Sequence, residues 1–333
     1  MPSTHEISIL SYTHARQLPD FVSSTLEANR IDANVILPLL KKSSDSERSN
    51  LPIPFNQRWL CCISYDSSIT GTVDMVLSCT ENELGKYPIF IVPTRPRSFW
   101  TRNSLEVRLR KLAEALFKSV PRERVYSVFA PDIIVSLFSQ QWSELAGVGI
   151  NDEPYYAARL LSCTAVIPQP STSPPFGTCR LADTADTKTV ARLCERFSEE
   201  SEPFVLGTQG ALKEASLLIS REQVWVHCVS GKITCIAAFT RNTADTATIT
   251  KVYTHRSWRR QGRAKRLVRE VTEHLLGTGR SEVVLYVAHN NGSAAKVYES
   301  VGFVEPDGAV AIGHSVKWTE VGFDRNFVEL GHW

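Results

Sequence analysis

Between Lys251 and Tyr298 the sequence gathers residue types suited to holding a phosphorylated cofactor and to moving a proton. The run Lys251-Val252-Tyr253-Thr254-His255-Arg256-Ser257-Trp258-Arg259-Arg260-Gln261-Gly262-Arg263-Ala264 reads as strand, basic loop, small residues and helix start. A helix N-terminus leaves backbone N–H groups unpaired and carries roughly half a positive charge, so amides and dipole together hold an anion there. Gly262 and Ala264 are small where a bulky side chain would block close approach of phosphates, and Arg256, Arg259, Arg260, Arg263, Lys265 and Arg266 add charge. Taken alone, the same basic cluster suits a solvated face. Further on, Asn291, Ala294 and Tyr298 lie at i, i+3 and i+7 and share one helix face, closed by Gly302-Phe303. Helix capping is a sufficient structural reason for Asn291 and Gly292, and Tyr298 alone suits a half-buried helix tyrosine.

The elements that must position these residues follow from periodicity. Val190, Leu193, Cys194 and Phe197 recur at i, i+3, i+4 and i+7, which predicts a helix over 183–198, and a second helix follows over 209–221. Two apolar runs, 224–229 and 233–240, flank Ser230-Gly231-Lys232 and read as a hairpin; 247–254 is a third strand. Residues 264–276 form an apolar helical stripe stopped by Gly277 and Gly279, and 283–288 is continuously apolar, as a central strand is. The order gives an α/β (α+β) fold with a mixed central sheet flanked by helices.

With both segments in place, Arg259-x-x-Gly262-x-Ala264 after Val252-Tyr253-Thr254 resembles the acyl-CoA-binding signature of the GNAT superfamily of N-acetyltransferases. Asn291-Gly292-Ser293-Ala294-Ala295-Lys296-Val297-Tyr298 with Gly302-Phe303 resembles that family's second signature, and the resemblance covers most of 179–310. It implies a GNAT-like sheet, with the backbone of Val252, Tyr253 and Thr254 pairing with a pantetheine arm in a gap between splayed strands. It further implies that amides of Arg260, Gln261, Gly262, Arg263 and Ala264 hold the pyrophosphate and that Asn291 touches the cofactor. Tyr298 would stand near the thioester sulfur as general acid; a phenol of pKa ~10 is in the donor form at pH 7. Acetyl-CoA would be the acyl donor, attacked directly by a small-molecule or peptide amine. The sequence departs from the pattern at the base: Thr248, Ile249, Thr250 and Lys251 offer no carboxylate on the strand before the loop. Glu200, beside Glu199 and Glu202 after the first helix, is the candidate; His255 and water are the alternatives. The missing strand carboxylate also leaves a non-catalytic acyl-CoA sensor as the rival reading.

At 333 residues the chain has room for two domains. Four prolines among Ser and Thr over 167–178 mark the boundary, giving domains at 1–165 and 179–333 with a linker at 166–178. In the first half, strands are expected at 59–65, 71–78, 88–93 and 124–130, with helices at 105–117 and 132–142. The last four repeat the order strand, helix, strand, helix of the second half. No comparable phosphate loop accompanies them, since 95–103 has no Gly, so the first half is read as a degenerate GNAT-like domain, with an unrelated α/β domain as the alternative. Residues 41–50 read as a polar loop, and 315–321 and 326–330 as closing strands. Trp318, Phe323, Phe327 and Trp333 read as core or interface.

A net charge of +2 argues against a nucleic-acid or anionic-membrane surface, no stretch approaches ~20 apolar residues, and residues 1–10 lack a signal-peptide pattern. Eight cysteines without a CxxC pattern read as buried thiols of a reducing, cytoplasmic setting. No metal is expected, because His227, Cys228 and Cys235 lack a fourth ligand.

Overall fold

The computed structural model describes residues 6–49, 56–65, 71–168, 177–306 and 316–332. The chain runs β1 (Glu6–Tyr12), α1 (Asp20–Ala28), α2 (Leu37–Arg48), β2 (Gln57–Tyr65), β3 (Gly71–Asn82), β4 (Gly85–Lys86), β5 (Ile89–Pro93), α3 (Arg102–Phe117), β6 (Ser127–Pro131), α4 (Asp132–Ala146) and β7 (Tyr156–Cys163). It continues through β8 (Thr178–Leu181), α5 (Thr187–Glu199), α6 (Thr208–Ser220), β9 (Val224–Val229), β10 (Lys232–Asn242), β11 (Thr246–Thr254), α7 (Arg263–Gly277), β12 (Glu282–Ala288), α8 (Gly292–Glu299) and β13 (Lys317–Gly322). Apart from the two-residue β4, the second half repeats the first, element for element: strand, two helices, three strands, helix, strand, helix, strand.

Two compact units result, Met1–Ala158 with Asp307–Trp333, and Arg159–Pro306. This differs from the division read in the sequence, which gave everything after 178 to the second domain. The closing strand β13 belongs to the first unit, where it pairs antiparallel with β6 from Trp318↔Pro131 to Gly322↔Ser127. The linker stretch lies largely outside the described residues; its end, from Thr178, is already strand β8, paired with β9.

In the first unit β1, β2, β3 and β5 pair antiparallel in turn and β5 then meets β6 in parallel. Residues 41–48, read as a loop, are helical in α2. Glu47 is the reason the polar run folds: it is buried and accepts the Ala15 and Arg16 amides and the Gln57 side chain. Residues 326–330 are not a strand; Asp324 turns the chain by accepting the Asn326 amide through its carboxylate and the Phe327 amide through its carbonyl. Trp318 and Phe323 are core residues, as their types suggested.

In the second unit β8, β9, β10 and β11 pair antiparallel, and β11 meets β12 in parallel. The β9–β10 hairpin turns through left-handed Ser230 and Gly231. One sheet face packs against α7 and α8 through Cys235, Ala237, Ile249, Leu267, Val271 and Tyr298. The other packs against α5 and α6 through Val190, Cys194, Ala215, Ile236, Ala238 and Tyr253.

Candidate active site

The site begins with a break in the sheet. The β11–β12 register runs from Thr246↔Glu282 to Ile249↔Leu285 and stops, although β11 continues to Thr254 and β12 to Ala288. Val252, Tyr253 and Thr254 remain paired on their other side, with Ala237, Ile236 and Cys235 of β10. The β10–β11 pairing is itself irregular around Phe239, where bulges raise the local twist. The second strand edge of this stretch therefore lacks a ladder partner in β12, so its backbone N–H and C=O groups can meet an extended ligand arm.

From Thr254 the chain enters a short 3-10 turn, Arg256–Trp258, then reaches α7 through Arg260 at φ 60° and Gly262 at φ 73°. Gly262 is the N-cap of α7 and contributes no side-chain cap, so the first amides of the helix face outward. Left-handed backbone leading into a helix start that no side chain caps is the geometry that suits an anion. A Cβ placed on Gly262 would meet nothing within 4 Å, so glycine is favoured here by its left-handed conformation and not by packing. The donor set fits a pyrophosphate.

The arginines are not equivalent. Arg259 donates through Nε to the Thr254 carbonyl at 3.1 Å, bracing the loop, and through Nη2 to both Glu200 oxygens at 3.0 and 2.9 Å. Arg263 is buried and donates to the Gln261 side chain at 3.1 Å. Arg256 reaches Glu200 through Nε at 3.1 Å. His255 accepts the Ser257 amide through Nδ1 at 3.3 Å, the role of a turn cap.

Glu200, the base offered by the sequence, is thus spoken for. Tyr253 donates its hydroxyl to it at 3.0 Å, in addition to the two arginines. Partial burial pushes its carboxyl up, but the hydrogen bonds from Arg259, Tyr253 and Arg256 outweigh that and hold it below the usual range. A depressed carboxylate with its oxygens engaged is a poor proton acceptor, which works against the base role. Sequence reasoning also missed Glu214. It reaches from α6 to Lys251 on β11, with Oε1 and Oε2 2.7 and 2.6 Å from Nζ, and the ammonium lies 5.0 Å from the Phe197 ring centroid. Nothing in the spacing of 214 and 251 signals that contact.

Asn291 is the N-cap of α8: Oδ1 accepts the Ala294 amide and the Ser293 hydroxyl, both at 3.0 Å. Tyr298, seven residues on, is 9% exposed and packs edge-on against Phe303 at 6.1 Å. Burial first, and then Cys235, push its phenol well above the usual range. Cys235 is the register partner of Thr254, whose hydroxyl reaches the Cys235 sulfur at 3.2 Å, so Tyr298 lies toward the open end of β11. Among the described residues its hydroxyl has no hydrogen-bond partner.

The scan of family models matches residues 188–303 to the acetyltransferase (GNAT) family. Residues 188–303 are a GNAT domain. The family is one of acyl-CoA-dependent acyltransferases. No curated protein matches the chain. Among solved structures, a Drosophila protein superposes with a TM-score of 0.62 at 9% identity, over 94% of this chain and 99% of that one. A GCN5-related N-acetyltransferase from Sphaerobacter thermophilus gives 0.53 at 15% identity, over 94% of both chains. These likenesses extend the fold across both units, in agreement with the internal repeat.

The first unit keeps the layout without the chemistry. The connection from β5 to α3 has the same eight-residue length, 94–101 against 255–262, and the same 3-10 turn, Arg97–Phe99. Among the described residues none in 94–101 has positive φ. Thr101 caps α3 by accepting the Ser104 amide, occupying a group that Gly262 leaves open in α7. Arg108 turns inward to a fully buried Asp74 at 2.7 Å. The seventh residue of α8 is Tyr298, whereas the seventh of α4 is Phe138, which has no proton to give. The eight cysteines are free thiols, and among the described residues no cluster of His, Cys, Asp or Glu could hold a metal. No helix among those residues is long and apolar enough to cross a membrane.

Proposed function

We propose that the second unit transfers an acetyl group from acetyl-CoA to an amine, by direct attack and without an acyl-enzyme. The observation that carries this reading is the break in the β11–β12 ladder leading straight into an uncapped, glycine-started helix. A bound acyl-CoA would supply an activated thioester there. Val252, Tyr253 and Thr254 offer backbone pairing for its arm, Arg260, Gln261, Gly262, Arg263 and Ala264 offer amides for its phosphates, and Asn291 still has its Nδ2 donors to offer. Tyr298 donates a hydrogen bond to the sulfur as negative charge develops. Holding amine and thioester together supplies much of the remaining acceleration.

The amine is a small molecule or a peptide terminus, and its proton leaves to water, because Glu200 is engaged by Tyr253, Arg256 and Arg259. The first unit is a degenerate repeat that binds no CoA, and a reducing, cytoplasmic setting suits eight unpaired thiols. The engaged carboxylates favour a second reading, a non-catalytic acyl-CoA sensor, for which the Tyr298 hydroxyl would be superfluous. Calorimetric titration of acetyl-CoA, with free-thiol release measured across an amine panel, tests both. Binding with release supports the transferase, binding without release across the panel supports the sensor, and no binding overturns the reading.

A further inference from the structure

We propose that Glu200 is a built-in competitor for the arginines of the phosphate loop, weakening CoA binding so that the spent cofactor leaves. The inference rests on the reading of the second unit as an acyl-CoA site.

Glu200 follows the last residue of α5 and is separated from the loop by more than fifty residues of chain, yet it takes two of the loop's three exposed arginines, Arg256 and Arg259. Arg259 spans its two oxygens at 3.0 and 2.9 Å, and Arg256 approaches Oε1 at 3.1 Å through Nε and 3.0 Å through Nη2. A carboxylate so placed puts a negative charge where the phosphates of a CoA need cations, and occupies the donors that would meet them. The arrangement is also easily exchanged. The Arg256 side chain is 71% exposed, that of Arg259 42% and that of Glu200 33%, and ion pairs at such a surface are worth little individually.

The sign of the effect depends on whether the loop needs Glu200 to keep its shape. It has its own supports. Arg259 Nε is fixed to the Thr254 carbonyl, and its guanidinium lies 5.2 Å from the Tyr253 ring centroid. The Trp258 amide donates to the His255 carbonyl, the Ser257 amide to the His255 ring, and the Arg266 amide to the Gly262 carbonyl. The amide cradle is therefore set by backbone, and removing the Glu200 charge releases Arg256 without dismantling the loop. Removal should tighten binding, opposite to the result for a residue that organises the site.

The test compares acetyl-CoA and CoA binding by calorimetry, and CoA dissociation by stopped flow, in wild type, Glu200→Gln, Arg256→Ala and the double variant. Loss of one charge a few ångströms away should tighten affinity about three- to tenfold, mostly through slower dissociation. Arg256→Ala should matter little in the wild type, where Glu200 holds the side chain, but should cancel most of the gain in the Glu200→Gln background. Glu200→Gln with unchanged or weaker affinity, or an Arg256→Ala effect equal in both backgrounds, overturns the proposal. A wild type that fails to bind acetyl-CoA instead overturns the acyl-CoA site itself.

Discussion

Replacing Tyr298 by Phe separates a catalytic tyrosine from a core one, because the two roles move stability and turnover in opposite directions. The ring is packed in the α7–α8 face among Cys235, Ala295, Val301 and Phe303, and Phe keeps that packing. The hydroxyl has no partner among the described residues, so its removal takes away no hydrogen bond. Unfolding free energy should change by less than about 1 kcal/mol, since Phe keeps the packing and no protein hydrogen bond is lost.

Turnover should fall. A hydrogen bond to a charged acceptor contributes about 1.5–3 kcal/mol, and at 1.36 kcal/mol per decade this converts to a loss of about 10- to 150-fold in kcat. The stabilisation appears only as the sulfur gains charge, so KM for the acyl donor should hardly change. Full transfer of the proton to a thiolate is uphill, because a phenol near 10 already exceeds a thiol near 8.5 by about 2 kcal/mol and burial raises Tyr298 further. The group therefore acts as a hydrogen-bond donor, and it should add no alkaline limb to the kcat profile below pH 10. The assay is thiol release under saturating acceptor, alongside denaturant unfolding of both proteins. A variant that unfolds more easily by over 1 kcal/mol while retaining wild-type kcat would refute the argument and make Tyr298 a structural residue.

Gly262→Trp should keep the fold, because the space above the glycine is empty, yet lose at least 100-fold in acetyl-CoA affinity by calorimetry; the left-handed φ of 73° adds roughly 1–2 kcal/mol of strain. Gly302→Ala should be destabilised by about 2–3 kcal/mol in denaturant unfolding, because φ is +128° and a Cβ would stand 2.7 Å from the Ala165 carbonyl oxygen. Glu320 is fully buried and its carboxyl is raised from 4.5 to about 8, by burial against one hydrogen bond from Ser127. A raised carboxyl gives its full contribution to stability below pH 4.5 and loses it as pH climbs through 8, a total of about 5 kcal/mol at most. Glu320→Gln should therefore match wild type near pH 4, exceed it increasingly from pH 5 to 8, and hold a constant margin above that.

The second unit was legible because its signals are local. The stripe of Leu267, Val268, Val271 and Leu275 fixes α7, and Gly262 and Asn291 mark helix starts that the structure uses as N-caps. What escaped reading was carried by distant partners. Residues 41–48 look like a loop until Glu47 is seen capping the amides of Ala15 and Arg16. The employment of Glu200 depends on Arg256 and Arg259, and that of Glu214 on Lys251, none of them neighbours in sequence. The exchange of β13 to the first unit has no local signal either, since an apolar strand is equally suited to any sheet edge.

The repeat itself leads to a stoichiometry. Both units bring a parallel strand pair to an early stop, the first after Ile89↔Val128 and Phe90↔Phe129, and both follow it with an eight-residue connection into a helix. Geometry of this kind is necessary for an acyl-CoA site and does not suffice. The first unit has used its donors internally: Thr101 closes the helix start, and Arg108 is fixed to Asp74, which also receives the Ser64 hydroxyl at 3.0 Å. Freeing Arg108 would leave buried Asp74 with only the Ser64 hydroxyl and Arg95, whose Nε is 3.9 Å away, and breaking a buried pair costs up to about 3–5 kcal/mol, which ligand binding would have to offset. With no left-handed residue among 94–101 to turn amides outward, little remains to offset it. Calorimetry should accordingly give one acetyl-CoA per chain, with Gly262→Trp abolishing all heat of binding. A stoichiometry near two, or a residual full-affinity site in Gly262→Trp, would show that the internal pairing in the first unit yields to ligand and that this reasoning about its closure is wrong.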